Sequence, residues 1–252
     1  MIFFLAMGVA AIAATAAPVR FEDTIAQRTL ACTSCHGREG RAGPDGYYPR
    51  LAGKPQGYLY NQLLNFREGR RHYGLMSALL DPLSDAYLYE IAQHFASLDV
   101  PYPPPQPAGA PPEVLERGRA LTLHGDPARQ LPACISCHGK ALTGVQPAVP
   151  GLLGLSRDYL NAQLGAWRTG QRRAHVPDCM GEIARRLEPE DLAAVTAFLA
   201  AEALPRNPKP AAAPVAVAPV RHKGRRGAPA AAVEPPPPMR CGSAQAPAGA
   251  RP

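Results

Sequence analysis

At 252 residues with 46% hydrophobic content, the chain is long enough for one large domain or for two small ones with linkers to spare. Its formal charge of +7 points to a polyanionic partner only until it is located: eight of the 27 Lys and Arg but one of the 20 Asp and Glu follow Leu204, leaving 19 of each sign upstream. A near-neutral body excludes nucleic acid as the partner that the overall charge would suggest.

Residues Ile2 to Ala14 form an apolar run, and Ala14-Thr15-Ala16 supplies the small-x-small pattern of a signal-peptidase site. Residues 1–16 are therefore expected to be an export signal, although no Lys or Arg precedes the run. The alternative, a buried N-terminal helix, fits poorly with the Ala-rich composition and with Pro18 directly behind it. A membrane span needs about 20 apolar residues, more than this run offers.

A first domain is expected over 17–99. Seven prolines between Val100 and Pro112 mark an extended, semi-rigid connector, and a second domain follows over 113–204. From 205 to 252 the composition turns to Pro, Ala, Gly and Arg with few large apolar residues. Such a tail cannot bury enough surface to offset its ordering entropy and is expected to be disordered.

The two halves repeat one another. Cys32-Thr33-Ser34-Cys35-His36-Gly37 recurs as Cys134-Ile135-Ser136-Cys137-His138-Gly139. Pro49, Leu51 and Gly53 recur 101 residues later as Pro150, Leu152 and Gly154, and Tyr58, Gln62, Phe66 and Gly69 match Tyr159, Gln163, Trp167 and Gly170. Spacings of three and four among Leu88, Ile91 and Phe95, and among Leu192, Val195 and Leu199, predict an amphipathic last helix in each half. Ser84 is placed to cap the first of these, and Pro189 suits the first turn of the second. Short helices are also predicted over Asp23 to Leu30 and Glu113 to Leu121. Few runs alternate with period two, so the fold class is all-α.

Cys-x-x-Cys-His is the attachment signal for a c-type heme. Its two thiols form thioethers with the porphyrin vinyl groups, and the adjacent imidazole is thereby set under the iron. A bare Cys-x-x-Cys also serves dithiol redox and zinc sites. Two copies with His and Gly following, inside repeats without βαβ patterning, favour two covalently bound hemes c, on Cys32, Cys35 and His36 and on Cys134, Cys137 and His138.

Each iron then needs a sixth ligand. Outside the signal and the tail, each repeat holds one methionine, Met76 and Met180, 40 residues beyond His36 and 42 beyond His138. A Met at such a place can also fill a core gap, but solitary methionines at matching places point to axial thioether ligands. His72, His175 and Cys179 are the competing ligands, and His72 and His175 lie in Arg-rich turns expected to face solvent. Cys179 and Cys241 belong to neither heme motif. In an oxidising compartment they are candidates for a disulfide tying the tail across the second heme crevice; a buried Cys179 with a surface thiol at Cys241, or a bridge to another chain, are the alternatives.

The blocks Pro49-Arg50-Leu51-Ala52-Gly53, Tyr58-Leu59 through Phe66-Arg67-Glu68-Gly69, and Met76 followed by Leu83-Ser84-Asp85 resemble the class I diheme cytochromes of the cytochrome c4 family, over roughly residues 21–204. The resemblance implies two class I cytochrome folds about a pseudo-two-fold axis, neighbouring hemes, and electron delivery toward a terminal oxidase in the bacterial periplasm. It also implies that the carbonyls of Pro49 and Pro150 hold the proximal histidines. The function expected is that of a one-electron carrier rather than an enzyme, since His and Met together leave the iron no open position. A cytochrome subunit of a periplasmic dehydrogenase is the principal alternative, and a diheme peroxidase is disfavoured by a Met in both repeats. The partners expected are redox proteins (an oxidase, a cytochrome reductase or a dehydrogenase), with no nucleic acid, and peripheral membrane association is an open alternative.

Overall fold

The computed structural model describes residues 22–213 and 241–244. The expected signal over 1–16 lies outside the described residues.

In the first repeat, α1 (Ile25–Arg28) begins at Thr24, whose side chain accepts from the Gln27 amide. It is followed at once by α2 (Leu30–His36), so the first Cys-x-x-Cys-His is itself helical. The single short helix expected over Asp23 to Leu30 is thus broken at Thr29, whose buried hydroxyl donates to the Ile25 carbonyl. Then come α3 (Gln56–Arg67), α4 (Gly74–Leu80) and α5 (Asp85–Ser97), the last capped by the Ser84 hydroxyl accepting from the Tyr87 amide. The apolar faces of α3 and α5 close over Leu59, Leu64, Phe66, Leu88, Ile91 and Phe95, with Leu80 of α4 between them.

The second repeat runs α6 (Pro112–His124), α7 (Ile135–His138), α8 (Arg157–Arg168), α9 (Cys179–Arg186) and α10 (Pro189–Ala201). Helix α10 starts with Pro189 in its first turn and a capping box between Glu188 and Asp191. Helices α6 and α10 cross so closely that a β-carbon at Gly118 would stand 2.1 Å from the Ala194 carbonyl oxygen. Leu121, Leu160, Leu187, Val195 and Leu199 form the second core. The all-α expectation has one small exception, an antiparallel pair of β1 (Gly144–Val145) and β2 (Val149–Pro150), in the register Gly144 to Pro150 and Val145 to Val149.

The halves meet on a pseudo-symmetric seam. Arg71 and Arg172, 101 residues apart, form an antiparallel bridge, and their guanidinium groups lie over the rings of Phe66 and Trp167 at 4.5 and 3.7 Å. The proline-rich connector is docked rather than free. The buried Arg50 side chain donates to the carbonyls of Val100 and Pro101 and stacks 3.8 Å over Tyr102.

The tail expected to be disordered from 205 needs correction at two places. Ala211 donates to the Gly144 carbonyl and accepts from the Gln146 amide, and Lys209 pairs with Asp99 at 2.8 Å. Residues 241–244 are held by a Cys179–Cys241 disulfide, and Asn61 of α3 donates to the Ser243 carbonyl. Composition alone misjudged these stretches, because backbone hydrogen bonds and one covalent link replace the missing apolar surface. The rest of the tail lies outside the described residues.

Candidate heme site

The motif helices α2 and α7 each end in a glycine with positive φ, 74° at Gly37 and 82° at Gly139. At Gly37 a β-carbon would also meet the Ala42 carbonyl oxygen at 2.3 Å, so this turn requires glycine. The chain thus leaves each helix sharply and returns as an extended segment bearing Pro49 or Pro150. His36 Nδ1 lies 2.8 Å from the Pro49 carbonyl oxygen, and His138 Nδ1 lies 2.7 Å from that of Pro150. A carbonyl can only accept, so Nδ1 carries the proton in both rings and Nε2 keeps its lone pair. Burial pushes the His36 imidazole below its ordinary value; the Pro49 carbonyl opposes this and the Arg71 charge adds to it. Burial lowers His138 as well, again opposed by its proline carbonyl. Each imidazole is therefore held neutral, the form that can coordinate a metal.

A cavity of about 980 Å³ opens beside α2 and brings Cys32, Cys35, His36 and Met76 onto one wall set. Leu59, Leu63, Leu83, Ile91 and Phe95 supply apolar walls. Tyr58, Gln62, Lys54 and Arg71, joined by Tyr159, Gln163 and Arg172 from the other repeat, supply a polar one. Volume, apolar walls, paired thiols and a cationic side fit a porphyrin with acidic substituents. In the second repeat the indole N–H of Trp167 is buried without a hydrogen-bond partner, a donor left for a group the protein itself does not supply.

Burial raises the Cys32 thiol and pushes that of Cys134 up to about 11. These are protonated thiols rather than the poised thiolates that dithiol redox chemistry requires. Cys32 packs on the first core and Cys134 on the second, so the two motifs do not converge on one zinc site.

Met76 lies on α4 and Met180 at the start of α9, each one helix before the last of its repeat. Among the rival ligands, His72 lines the cavity from an exposed position, His175 is hydrogen-bonded to Arg70 at 3.1 Å, and Cys179 is committed to its disulfide. Lys54, Arg71 and Arg172 were not singled out as site residues by sequence reasoning. For the two arginines a signal existed, since they recur at the 101-residue offset of the repeat.

No family model matches the chain. Over 174 residues it is 38% identical to the thiosulfate dehydrogenase electron acceptor of Thiomonas intermedia (strain K12), covering 69% of this chain and 79% of that protein. Cytochrome c4 of Pseudomonas aeruginosa is 33% identical over 174 residues, covering 68% of this chain and 84% of the relative. Among solved structures, reduced cytochrome c4 from Pseudomonas stutzeri superposes with a TM-score of 0.59 at 28% identity, over 70% of this chain and 96% of that one. A thiosulfate dehydrogenase from Marichromatium purpuratum matches with a TM-score of 0.61 at 34% identity, over 67% of this chain but 36% of that longer chain. Two helical cytochrome domains joined by a proline-rich connector, with these relatives, make this chain an electron-transfer protein that belongs to the cytochrome c4 family of heme c proteins.

Proposed function

We propose that the chain carries two hemes c and relays single electrons in the periplasm from a dehydrogenase of the thiosulfate-oxidising type toward a terminal oxidase. One heme is attached through Cys32 and Cys35, with His36 and Met76 on its iron; the other through Cys134 and Cys137, with His138 and Met180. The observation that carries this reading is the convergence of Cys32, Cys35, His36 and Met76 on one cavity. The same His-to-proline-carbonyl bond in both repeats supports a like arrangement in the second. The domain borders that follow are 17–99, 100–112 and 113–204, with Lys209 paired to Asp99 of the first domain and Ala211 bonded to the second.

When bound, heme supplies a one-electron ferrous/ferric couple. The residues of the chain hold it and set its surroundings. Pro49 and Pro150 fix the proximal rings and make them stronger donors, the apolar walls exclude water, and a thioether from Met76 or Met180 favours the reduced state. Export through the expected signal at 1–16 accords with covalent heme attachment and with a disulfide. No helix among the described residues is long and apolar enough to cross a membrane.

A dehydrogenase donor is favoured by the 38% identity to thiosulfate dehydrogenase electron acceptors, against 30% to 33% to cytochrome c4 proteins. The test mixes oxidised full-length protein with a purified thiosulfate dehydrogenase and thiosulfate and follows heme reduction by stopped flow. Uptake of two electrons per chain at catalytic enzyme concentrations is expected; no reduction, in a protein that dithionite does reduce, overturns the donor assignment.

A further inference from the structure

The polar wall of the first cavity is duplicated by the repeat at nearly every position: Tyr58 with Tyr159, Gln62 with Gln163, Arg71 with Arg172. Lys54 breaks the pattern. It follows Gly53 as Leu155 follows Gly154, so the second repeat places an apolar side chain where the first has an ammonium.

Lys54 is buried and lines the cavity. The buried arginines nearby have their N–H groups engaged, Arg71 and Arg172 on Gln62 and Gln163, and Arg50 on the carbonyls of the connector. Among the described residues no side-chain hydrogen bond or ion pair engages Lys54; its Nζ stands 5.9 Å from the centre of the Tyr58 ring. The one carboxylate among the lining residues is that of the exposed Asp158. A desolvated ammonium among other cations is costly unless an anion joins it. The strain is visible in the lysine itself, lowered to about 8 by burial, with Arg50, Arg71 and Arg172 pressing the same way and Tyr159 opposing.

We propose that Lys54 is the cation that receives a propionate of the first heme, and that it raises the reduction potential of that heme alone. The inference rests on the two-heme reading above. Reduction adds one negative charge to the heme, so a fixed cation close to it in a dry cavity stabilises the ferrous form more than the ferric. Leu155 supplies no such charge to the second heme.

The experiment is a spectroelectrochemical titration of the full-length, heme-loaded protein, with the first heme identified as the step that Met76→Ala displaces. Lys54→Met keeps the length of the side chain and removes its charge. It is expected to weaken reduction of the first heme about tenfold, a fall of about 59 mV for one electron, and to leave the second step in place. Lys54→Arg keeps the charge and is expected to hold the first step near its original position. Leu155→Lys poses the converse question in the other repeat and is expected to raise the second step. Equal shifts in Lys54→Met and Lys54→Arg, or an unmoved first step in Lys54→Met, overturn the proposal, as does an unmoved second step in Leu155→Lys. A chain with one heme, or a Met76→Ala variant with both steps intact, overturns the ligand reading instead.

Discussion

Arg71 and Arg172 share their acceptors across the seam between the repeats: each guanidinium donates to both Gln62 and Gln163, at 2.6 to 3.1 Å. Two like charges are tolerated there because each amide oxygen serves both of them, and because each cation also rests on an aromatic face.

This sharing makes the glutamines more sensitive than the arginines. Arg172→Met leaves both amide oxygens bonded to Arg71, whereas Gln163→Leu strips an acceptor from two buried cations at once. Gln163→Leu is expected to cost about 2–3 kcal/mol and Arg172→Met about 1 kcal/mol, from the price of orphaning charged donors. Denaturant titration of the two variants measures the order; a larger loss for Arg172→Met contradicts it.

The axial assignment predicts independent lesions. Met76→Ala and Met180→Ala should each remove one thioether and lower one of two steps in a redox titration, leaving the other unchanged. A variant in which both steps persist shows that its methionine is not a ligand. The intact protein should carry two heme masses by mass spectrometry and retain them in denaturing electrophoresis.

The Cys179–Cys241 bridge joins residues 62 apart in sequence. Chain entropy assigns a closure of this length a stabilisation on the order of 4 kcal/mol. Cys241→Ser should therefore lower the melting temperature, with the loss concentrated in the second repeat, where Cys179 starts α9 beside Met180. Unreduced, denatured wild-type protein should show no reactive thiol once both hemes are attached; two free thiols would exclude the bridge in solution.

Asp191 is buried between Arg117 and Arg129, at 2.5 Å from each. Burial alone would raise its carboxyl, but the bonds to Arg129 and Arg117 outweigh this and hold it below the usual carboxylate range. A carboxyl depressed in the folded state contributes stability above its unfolded value, near 3.9, and loses it as pH falls through the lower folded value. Asp191→Asn should accordingly be less stable at neutral pH and lose less on acidification below about pH 4, as read from urea midpoints across that range. Parallel acid limbs for the variant and the wild type would assign the acid sensitivity to other groups.

The sequence by itself determined the two Cys-x-x-Cys-His motifs, the repeat, the helical class and the caps at Ser84 and Pro189, because each depends on residues near one another in the chain or on a fixed offset between copies. It also named Cys179 and Cys241 as a candidate pair but left the pairing open, since proximity over 62 residues is a property of the folded chain. Only the tertiary structure brought them together, joined Ala211 to the Gly144 edge, and turned Arg71 and Arg172 from members of Arg-rich turns into the centre of a buried seam. Lys54 shows the reason most plainly. One lysine after a glycine reads locally as a solvated surface residue, and its burial follows from packing in which Tyr159 and Arg172 of the distant repeat wall the same cavity, a contact that no local pattern of the first repeat encodes.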